Sequence, residues 1–577
     1  MTNKEIRILL VGDEGVGKST IILSLIKDGF VNKVQHLVPE VTLPPEVTLD
    51  NVTTHIIDTS NRPDYKEKLL FEASKSSVIC LVFSLTNRES FYRIETYWIP
   101  LFRQLNLNLP IILAGSKLDL ESPTKLNMEE DILPIMKNYS EIETCIQVSS
   151  AKFINLQELF FICQKAVLYP TAPIFNLNER TLTQKCTQAL KRIFLLSDLD
   201  KDGILNDYEL NLFQQKHFGS PLQSDEIYGI KSIVKQQEPN GVINDGLTEL
   251  GFLFLHSLFI QRGRLETTWN ILHKFGYNDK LDINQDRLCP KMEVPADYTV
   301  ELSPNGYQFL TELFQVHDKD KDGALNTEEL EELFSPAPQI PWGQTDFPNS
   351  TVTNESGSVT LQGFLAQWSM STFQDYPTTL KYLFYLGYDG DTREGLKLVK
   401  PGSRLKKGSG QKNVFNCYLI GGPQTGKTSI LNHFVNKTFL PTYTPTTKPH
   451  SSVNSVEFKG QEKYLILEEF GTNYESAMLQ NSRKLNNCDV IGLVYDGSDS
   501  NSFIHIVNLI EQYEFENTPL VLISTKGDLE QVRQRTGQTQ PEEYCEQIKI
   551  KAPLSISVKL DDVQDLYTTL LSAAINQ

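Results

Sequence analysis

At 577 residues the chain is too long for one hydrophobic core, and about three to five domains are expected. Its formal net charge of −18 leaves no basic footprint for nucleic acid and serves solubility instead. The eight cysteines show no CxxC pair, so they read as scattered reduced thiols of a cytosolic setting rather than a disulfide framework or zinc site. The opening Met1-Thr-Asn-Lys-Glu5 runs straight into a strand pattern, unlike a signal or transit peptide, and no run reaches the eighteen apolar residues of a membrane span.

Residues 6–11 read as a buried strand, followed by Gly12-Asp13-Glu14-Gly15-Val16-Gly17-Lys18-Ser19 and an apolar helix over about 19–27. In such a strand, loop and helix, backbone amides from Gly12, Gly15 and Gly17 to Thr20 cradle phosphates. Lys18 reaches the outer phosphates, and the Ser19 hydroxyl suits magnesium. The strand Val52–Asp58 ends in an acid placed to reach that ion. Ile111–Gly115 leads into Ser116-Lys117-Leu118-Asp119, where Asp119 can accept from guanine N1 and N2; adenine offers no such donor pair. Strand 145–148 precedes Ser149-Ser150-Ala151-Lys152, which resembles the fifth GTPase motif, a backbone contact to the guanine carbonyl. Thr42, in the Pro39–Pro44 loop, is the candidate switch threonine sensing the terminal phosphate, and together with Lys18 it is a candidate catalytic group. Alternating strands and helices imply a doubly wound α/β domain over 1–169.

After the Tyr169–Pro173 linker, helical segments over about 182–196 and from about 208 flank Asp198–Glu209. Acids stand at positions 1, 3 and 5 (Asp198, Asp200, Asp202), Gly203 at 6 and Glu209 at 12, with Ile204 lending a backbone carbonyl. These are the oxygen donors and the sharp turn that calcium requires. The pattern recurs as Asp318, Asp320, Asp322, Gly323, Ala324 and Glu329. Asn206 and Asn326, at position 9, suit a ligand acting through water. A weaker repeat follows each loop: Gly251-Phe252-Leu253 precedes Phe275-Gly276-Tyr277, and Gly363-Phe364-Leu365 precedes Leu386-Gly387-Tyr388. Aligning Leu247 and Val359 with position 8 puts Gly251 and Gly363 where the closing glutamate belongs. These are ligandless EF-hands, each joined to the hand before it by a short antiparallel ribbon, over 170–280 and 281–392. A plain helical spacer is the competing reading for these two copies.

A basic linker spans 393–412, and 413–577 repeats the first domain. Strand 414–420 leads into Gly421-Gly-Pro-Gln-Thr-Gly426-Lys427-Thr428-Ser429, with the same roles for amides, lysine and hydroxyl. Strand 464–467 ends at Glu468-Glu-Phe-Gly471, with Glu468 in the place of the magnesium-facing acid. Thr525-Lys526-Gly-Asp528 supplies the guanine acceptor, and Ser557-Val558-Lys559 is a weakened fifth motif.

Two Ras-like α/β domains flanking an all-helical region of paired EF-hands make the whole chain resemble the Miro family, the mitochondrial Rho GTPases. The segment Gly251–Arg264, running on to Phe275-Gly276-Tyr277, closely resembles that family's first ligandless hand. The resemblance implies a GTP hydrolase that uses GTP/GDP, Mg2+ and Ca2+ on the cytoplasmic face of the mitochondrial outer membrane. It also implies partners: adaptor proteins that link mitochondria to microtubule motors and set mitochondrial distribution and shape.

Several residues depart from a competent Ras-like hydrolase. Asp58-Thr-Ser-Asn61-Arg62 lacks the usual Gly and water-orienting Gln, Thr472 stands in the second domain's glutamine position, and Glu14 adds charge beside the phosphates. Ser116 and Thr525 replace the usual Asn of the guanine motif. Two classes therefore compete: a slow GTP hydrolase with calcium-sensing hands, favoured by the intact Lys-Ser/Thr pairs, and a non-hydrolysing nucleotide-bound scaffold. Asp119 and Asp528 disfavour a P-loop kinase. The family's C-terminal membrane helix has no counterpart before Gln577, so the polypeptide as written is expected in the soluble, cytosolic fraction unless another signal anchors it.

Overall fold

The computed structural model describes residues 5–576 except 32–33, 49–50, 123–124, 140, 177–178, 297, 344–346, 401–411, 482–484, 486, 514, 516–517 and 536–538, and except the side chains of Lys137, Thr472, Asn473 and Gln564. The chain divides into two compact units: Met1–Phe194 with Ile204–Asp282, and Leu195–Gly203 with Ile283–Gln577. No helix among the described residues is long and apolar enough to cross a membrane.

The first unit begins with a six-stranded sheet in the order Val41–Leu43, Thr54–Asp58, Ile6–Val11, Val78–Ser84, Ile111–Ser116, Ile142–Gln147. Every pairing is parallel except that of the edge strand Val41–Leu43 with Thr54–Asp58. The central strands are continuously apolar because both faces are covered. Ile8, Leu10, Cys80 and Val82 pack on one side with Ile21, Ile22, Leu159 and Phe160. Their neighbours Leu9, Val11, Leu81 and Phe83 pack on the other with Leu69, Phe91 and Trp98. Alternate side chains thus feed two cores, and the loops at the strand C-termini are left to form a site.

The same core runs on into the first pair of hands, through Tyr169, Ile174 and Phe175 to Cys186, Leu190 and Trp269. Tyr169–Pro173, expected to be a linker, is therefore a packed joint. Trp269 Nε1 donates to Pro170 O at 2.9 Å, and Lys165 Nζ donates to Gly263 O at 2.7 Å. The helices Gln184–Ser197 and Asp207–Phe218 flank the first loop, and Ser224–Gln237 and Glu249–Gln261 form the ligandless hand. The expected ribbon is present, with Leu205 opposite Leu247 and Ile204 opposite Thr248. Thr248 caps the last helix by accepting from Gly251 N at 3.2 Å. A Cβ on Gly251 would lie 2.1 Å from Gly241 O, so backbone packing excludes any side chain at this position 12.

The second unit repeats the device. Pro304–His317 and Thr327–Phe334 flank the second loop, Leu325 pairs with Val359, and a Cβ on Gly363 would lie 2.1 Å from Val352 O. The helical stretch Leu361–Tyr385 is two helices, broken at Asp375 (φ −148°, ψ 73°) just before Pro377. Its first half shares a core with the second sheet through Ala366, Met370, Val414, Val453 and Ile466. The linker expected over 393–412 is only partly that. Leu396–Val399 is a strand paired with Thr299–Leu302, while 401–411 lie outside the described residues. Glu301, fully buried on Thr299–Leu302, accepts from Lys397 Nζ (3.2 Å), Asn413 N (3.0 Å) and Val414 N (3.1 Å). The second sheet runs His450–Phe458, Gln461–Glu469, Val414–Ile420, Val490–Asp496, Leu520–Thr525, Leu554–Ser555, the order of the first.

Candidate functional site

In the first nucleotide site the loop glycines are needed for space. A Cβ on Gly12 would lie 2.1 Å from Val82 O. Gly15 (φ 73°) and Gly17 (φ 104°) take left-handed backbone, and nothing among the described residues lies within 4 Å of the Cβ positions they lack. Open space at these two positions, ahead of the helix Lys18–Lys27, fits a phosphate group, where the helix dipole favours an anion. Thr20 lies in the first turn of that helix. Lys18 is buried, with Nζ donating to Gly12 O (2.8 Å) and Asp13 O (2.9 Å). Burial pushes its ammonium down, opposed by Asp58, Asp13 and Glu14.

Ser19 Oγ donates to Asp58 Oδ2 at 2.5 Å, and Val38 N donates to the same oxygen at 3.0 Å. Asp58 Oδ1 is buried with no hydrogen-bond partner among the described residues. Burial raises the carboxyl, and these donors oppose the rise. An unshared carboxylate oxygen beside a hydroxyl fits magnesium, which Ser19 and Asp58 would hold and which would neutralise phosphate charge.

Thr42 is not at this site. It lies on the edge strand opposite His55, with Oγ1 3.2 Å from His55 Nδ1. The loop reaches Asp58 earlier, at Val38, and His36 Nε2 lies 3.1 Å from Ser60 Oγ. At the base-binding end, Ser116 Oγ lies 2.6 Å from Val16 O and 2.9 Å from Phe83 O, its one proton shared between them, tying the phosphate loop to the strand end. Lys117 follows in left-handed backbone, φ 61°. Ser149 Oγ donates to Asp119 Oδ1 at 2.6 Å and accepts from Lys152 N at 3.0 Å. Ser150, Ala151 and Lys152 form the turn between Ser149 and its bridge partner Ile154.

The second site repeats this chemistry. A Cβ on Gly421 would lie 2.1 Å from Val494 O, and Gly426 (φ 89°) precedes the helix Lys427–Phe434, which carries Thr428 and Ser429 in its first turn. Lys427 Nζ donates to Gly421 O (2.7 Å) and Gly422 O (2.8 Å). Burial pushes it down, with Glu469 and Glu475 opposing. The acid beside the Thr428 hydroxyl is Glu469, not the expected Glu468. Leu419 pairs with Glu469 as Leu10 pairs with Asp58, each two residues before its first loop glycine. Thr428 Oγ1 donates to Glu469 Oε2 at 2.9 Å, whereas Glu468 faces the opposite way and accepts from Gln374 Nε2 at 3.2 Å.

Thr446, missed in the sequence, completes the group at 3.2 Å from Thr428 Oγ1 and 3.3 Å from Glu469 Oε1. Gly471 follows Glu469 by two residues and not by three. Its role is clearance, since a Cβ there would lie 2.2 Å from Thr446 O. The side chain of Thr472 lies outside the described residues. Thr525 Oγ1 lies 2.8 Å from Thr425 O and 3.1 Å from Tyr495 O, its one proton shared between them, Lys526 pairs with Asp496, and Ser557 Oγ donates to Asp528 Oδ1 at 2.9 Å. Burial alone would raise Asp528, but Ser557 and Lys559 hold it below the usual range. A cavity of about 610 Å³ joins Lys427, Thr428 and Glu469 to Asp528, Val558 and Lys559, with Phe439 on its wall.

In both calcium loops the three aspartates bring carboxylate oxygens within 4.8 Å of one another. Gly203 N donates to Asp198 Oδ2 (3.0 Å), and Gly323 N to Asp318 Oδ2 (3.1 Å). Asp318 Oδ1 is buried without a hydrogen bond among the described residues, as a waiting cation ligand would be. Glu329 Oε1 accepts from Lys319 N at 2.9 Å. Asn206 and Asn326 act as helix caps, accepting from Glu209 N (3.1 Å) and Glu329 N (3.0 Å). Ile204 and Ala324 sit in the ribbons, paired with Thr248 and Thr360.

Two sheets of one topology, each carrying a phosphate loop, a hydroxyl-acid pair and a guanine acceptor, define Ras-like domains flanking EF-hands. The Ras family model matches residues 7–168 and 416–576, and two EF hand associated models match 220–306 and 342–409. Mitochondrial Rho GTPase 1 of Cryptococcus neoformans var. neoformans serotype D is 46% identical, covering 99% of this chain and 90% of that protein. The proteins of that name from Mycosarcoma maydis and Neurospora crassa are each 44% identical over 99% of this chain, covering 86% and 92% of their own lengths. The chain belongs to the mitochondrial Rho GTPase (Miro) family. Membership implies GTP hydrolysis with GTP/GDP and Mg2+.

Proposed function

We propose that this protein is a calcium-binding, slowly hydrolysing GTPase of the mitochondrial outer membrane that links mitochondria to microtubule motor adaptors and so governs their transport, distribution and shape. The location and adaptor role rest on the family. Slow turnover is supported by one observation: both domains keep the lysine, hydroxyl and acid that hold phosphate and magnesium, while Arg62 of the first switch segment is engaged with Glu14 and cannot orient water as a glutamine would. Calcium responsiveness is supported by the two aspartate clusters.

The test is single-turnover hydrolysis of GTP by the full chain, with and without calcium, with Lys18→Ala and Lys427→Ala silencing one domain at a time. Slow, magnesium-dependent turnover from either domain supports the reading. Tight GTP binding without turnover in both would favour the competing reading, a nucleotide-bound scaffold.

A further inference from the structure

The two acids of the first phosphate loop and the two unusual residues of the first switch segment meet side chain to side chain. Asn61 Nδ2 donates to Asp13 Oδ1 at 3.3 Å, and Arg62 Nε donates to Glu14 Oε1. Asp13 is further held by Trp98 Nε1 at 3.3 Å and by Arg93 Nε at 3.4 Å. Asp13 thus has three partners, and Glu14 depends chiefly on Arg62, with His36 Nε2 at 3.9 Å. Carboxylates beside a phosphate cradle repel the ligand, so each needs a compensating donor.

Arg62 offers more than compensation. A guanidinium has five donors in a fixed planar fork, and only Nε is spent on Glu14; Nη1 and Nη2 make no hydrogen bond among the described residues. The side chain is half-exposed, and its carboxylate partner lies within electrostatic reach of Lys18, the group that meets the outer phosphates. The fork is therefore anchored at one edge on a residue of the phosphate loop itself.

We propose that Arg62, positioned by Glu14, is a ligand of the terminal phosphate and sets the first domain's preference for GTP over GDP. This rests on the guanine-nucleotide reading of the site and deepens it. Arg62 supplies charge to the phosphate but has no acceptor atom, so it cannot itself orient the attacking water.

The experiment uses the full chain carrying Lys427→Ala to silence the second site, and measures binding of mant-GDP and a non-hydrolysable mant-GTP analogue. Binding of neither nucleotide to this parent would refute the guanine-nucleotide reading itself. If mant-GDP binds, Arg62→Ala is expected to weaken the triphosphate analogue by about tenfold or more while changing mant-GDP by less than about twofold, the loss of a charge-assisted contact. Arg62→Lys should recover part of the difference, and in a Glu14→Gln background the Arg62→Ala penalty should shrink, because the fork has lost its anchor. Equal loss for both nucleotides, or no change in their ratio, overturns the proposal. A penalty unchanged by Glu14→Gln overturns the positioning role of Glu14.

Discussion

The Ser149 hydroxyl donates to the carboxylate of Asp119 at 2.6 Å, and Ser557 does the same for Asp528 at 2.9 Å. Each hydrogen bond fixes the rotamer of an acid that, on the proposed function, accepts two donors from one edge of guanine. Ser149→Ala is expected to lower first-domain GDP affinity by about tenfold, and Asp119→Ala by more, with ATP a poor competitor against the parent chain. Competition titrations check this; ATP displacing GTP at similar concentration would end the base assignment.

Calorimetry should find two calcium ions per chain, with affinities of roughly 10⁻⁷ to 10⁻⁵ M if the loops act as sensors. Glu209→Ala should remove one and Glu329→Ala the other. Gly251→Glu should not create a third site. Its Cβ would lie 2.1 Å from Gly241 O, so the variant should lose about 3 kcal/mol of stability instead. A stoichiometry of four would contradict the ligandless hands.

Glu468→Ala and Glu469→Ala should part company. The second removes the partner of Thr428 and Thr446, and should abolish the magnesium dependence of nucleotide binding in the second domain. The first removes a carboxylate that faces away from Thr428 and accepts from Gln374, and should leave that dependence intact. Titrations with and without EDTA distinguish them, and equal effects would refute the register argument.

His256 is buried in the first ligandless hand with Nδ1 3.0 Å from Thr268 Oγ1, and burial pushes its pKa down to about 3. The unfolded imidazole takes up its proton from pH 6.5 downward, while the folded one does not. Its contribution to stability is therefore complete above pH 6.5 and is lost as pH falls from there toward 3, at roughly 1.4 kcal/mol per pH unit. NMR titration should find this ring neutral at pH 5. A protonated ring in the folded hand at that pH would refute the argument.

Much of the fold was legible because it is written locally. Apolar runs bounded by Gly-rich loops marked both sheets, and the loop spacing marked both calcium hands and the absence of a closing acid at Gly251 and Gly363. What escaped depends on register. Glu468 and Glu469 are adjacent on one strand and face opposite sides, so only the pairing with Val414–Ile420 tells which one meets Thr428. Thr42 misled because the number of residues between a helix and an edge strand is not set by either of them. The loop reaches Asp58 at Val38 before the strand begins. Thr446 had a findable signal, a threonine-rich segment 441–447 between the phosphate loop and the next strand. The linker expected over 393–412 concealed Leu396–Val399, whose partner strand lies about a hundred residues earlier, beyond any local pattern.

Glu301 gives the second half of the molecule a peculiar inheritance. The first two amides of the second Ras-like domain are closed by a carboxylate from a strand that precedes the second calcium hand, 112 residues upstream. A fragment cut at Asn413 would begin with amides that have lost the Glu301 carboxylate. A chimera that exchanged this domain between relatives would need Glu301 and Lys397 to travel with it. The natural seam of the chain therefore lies ahead of Thr299, and the hand and the GTPase behind it are a single heritable part.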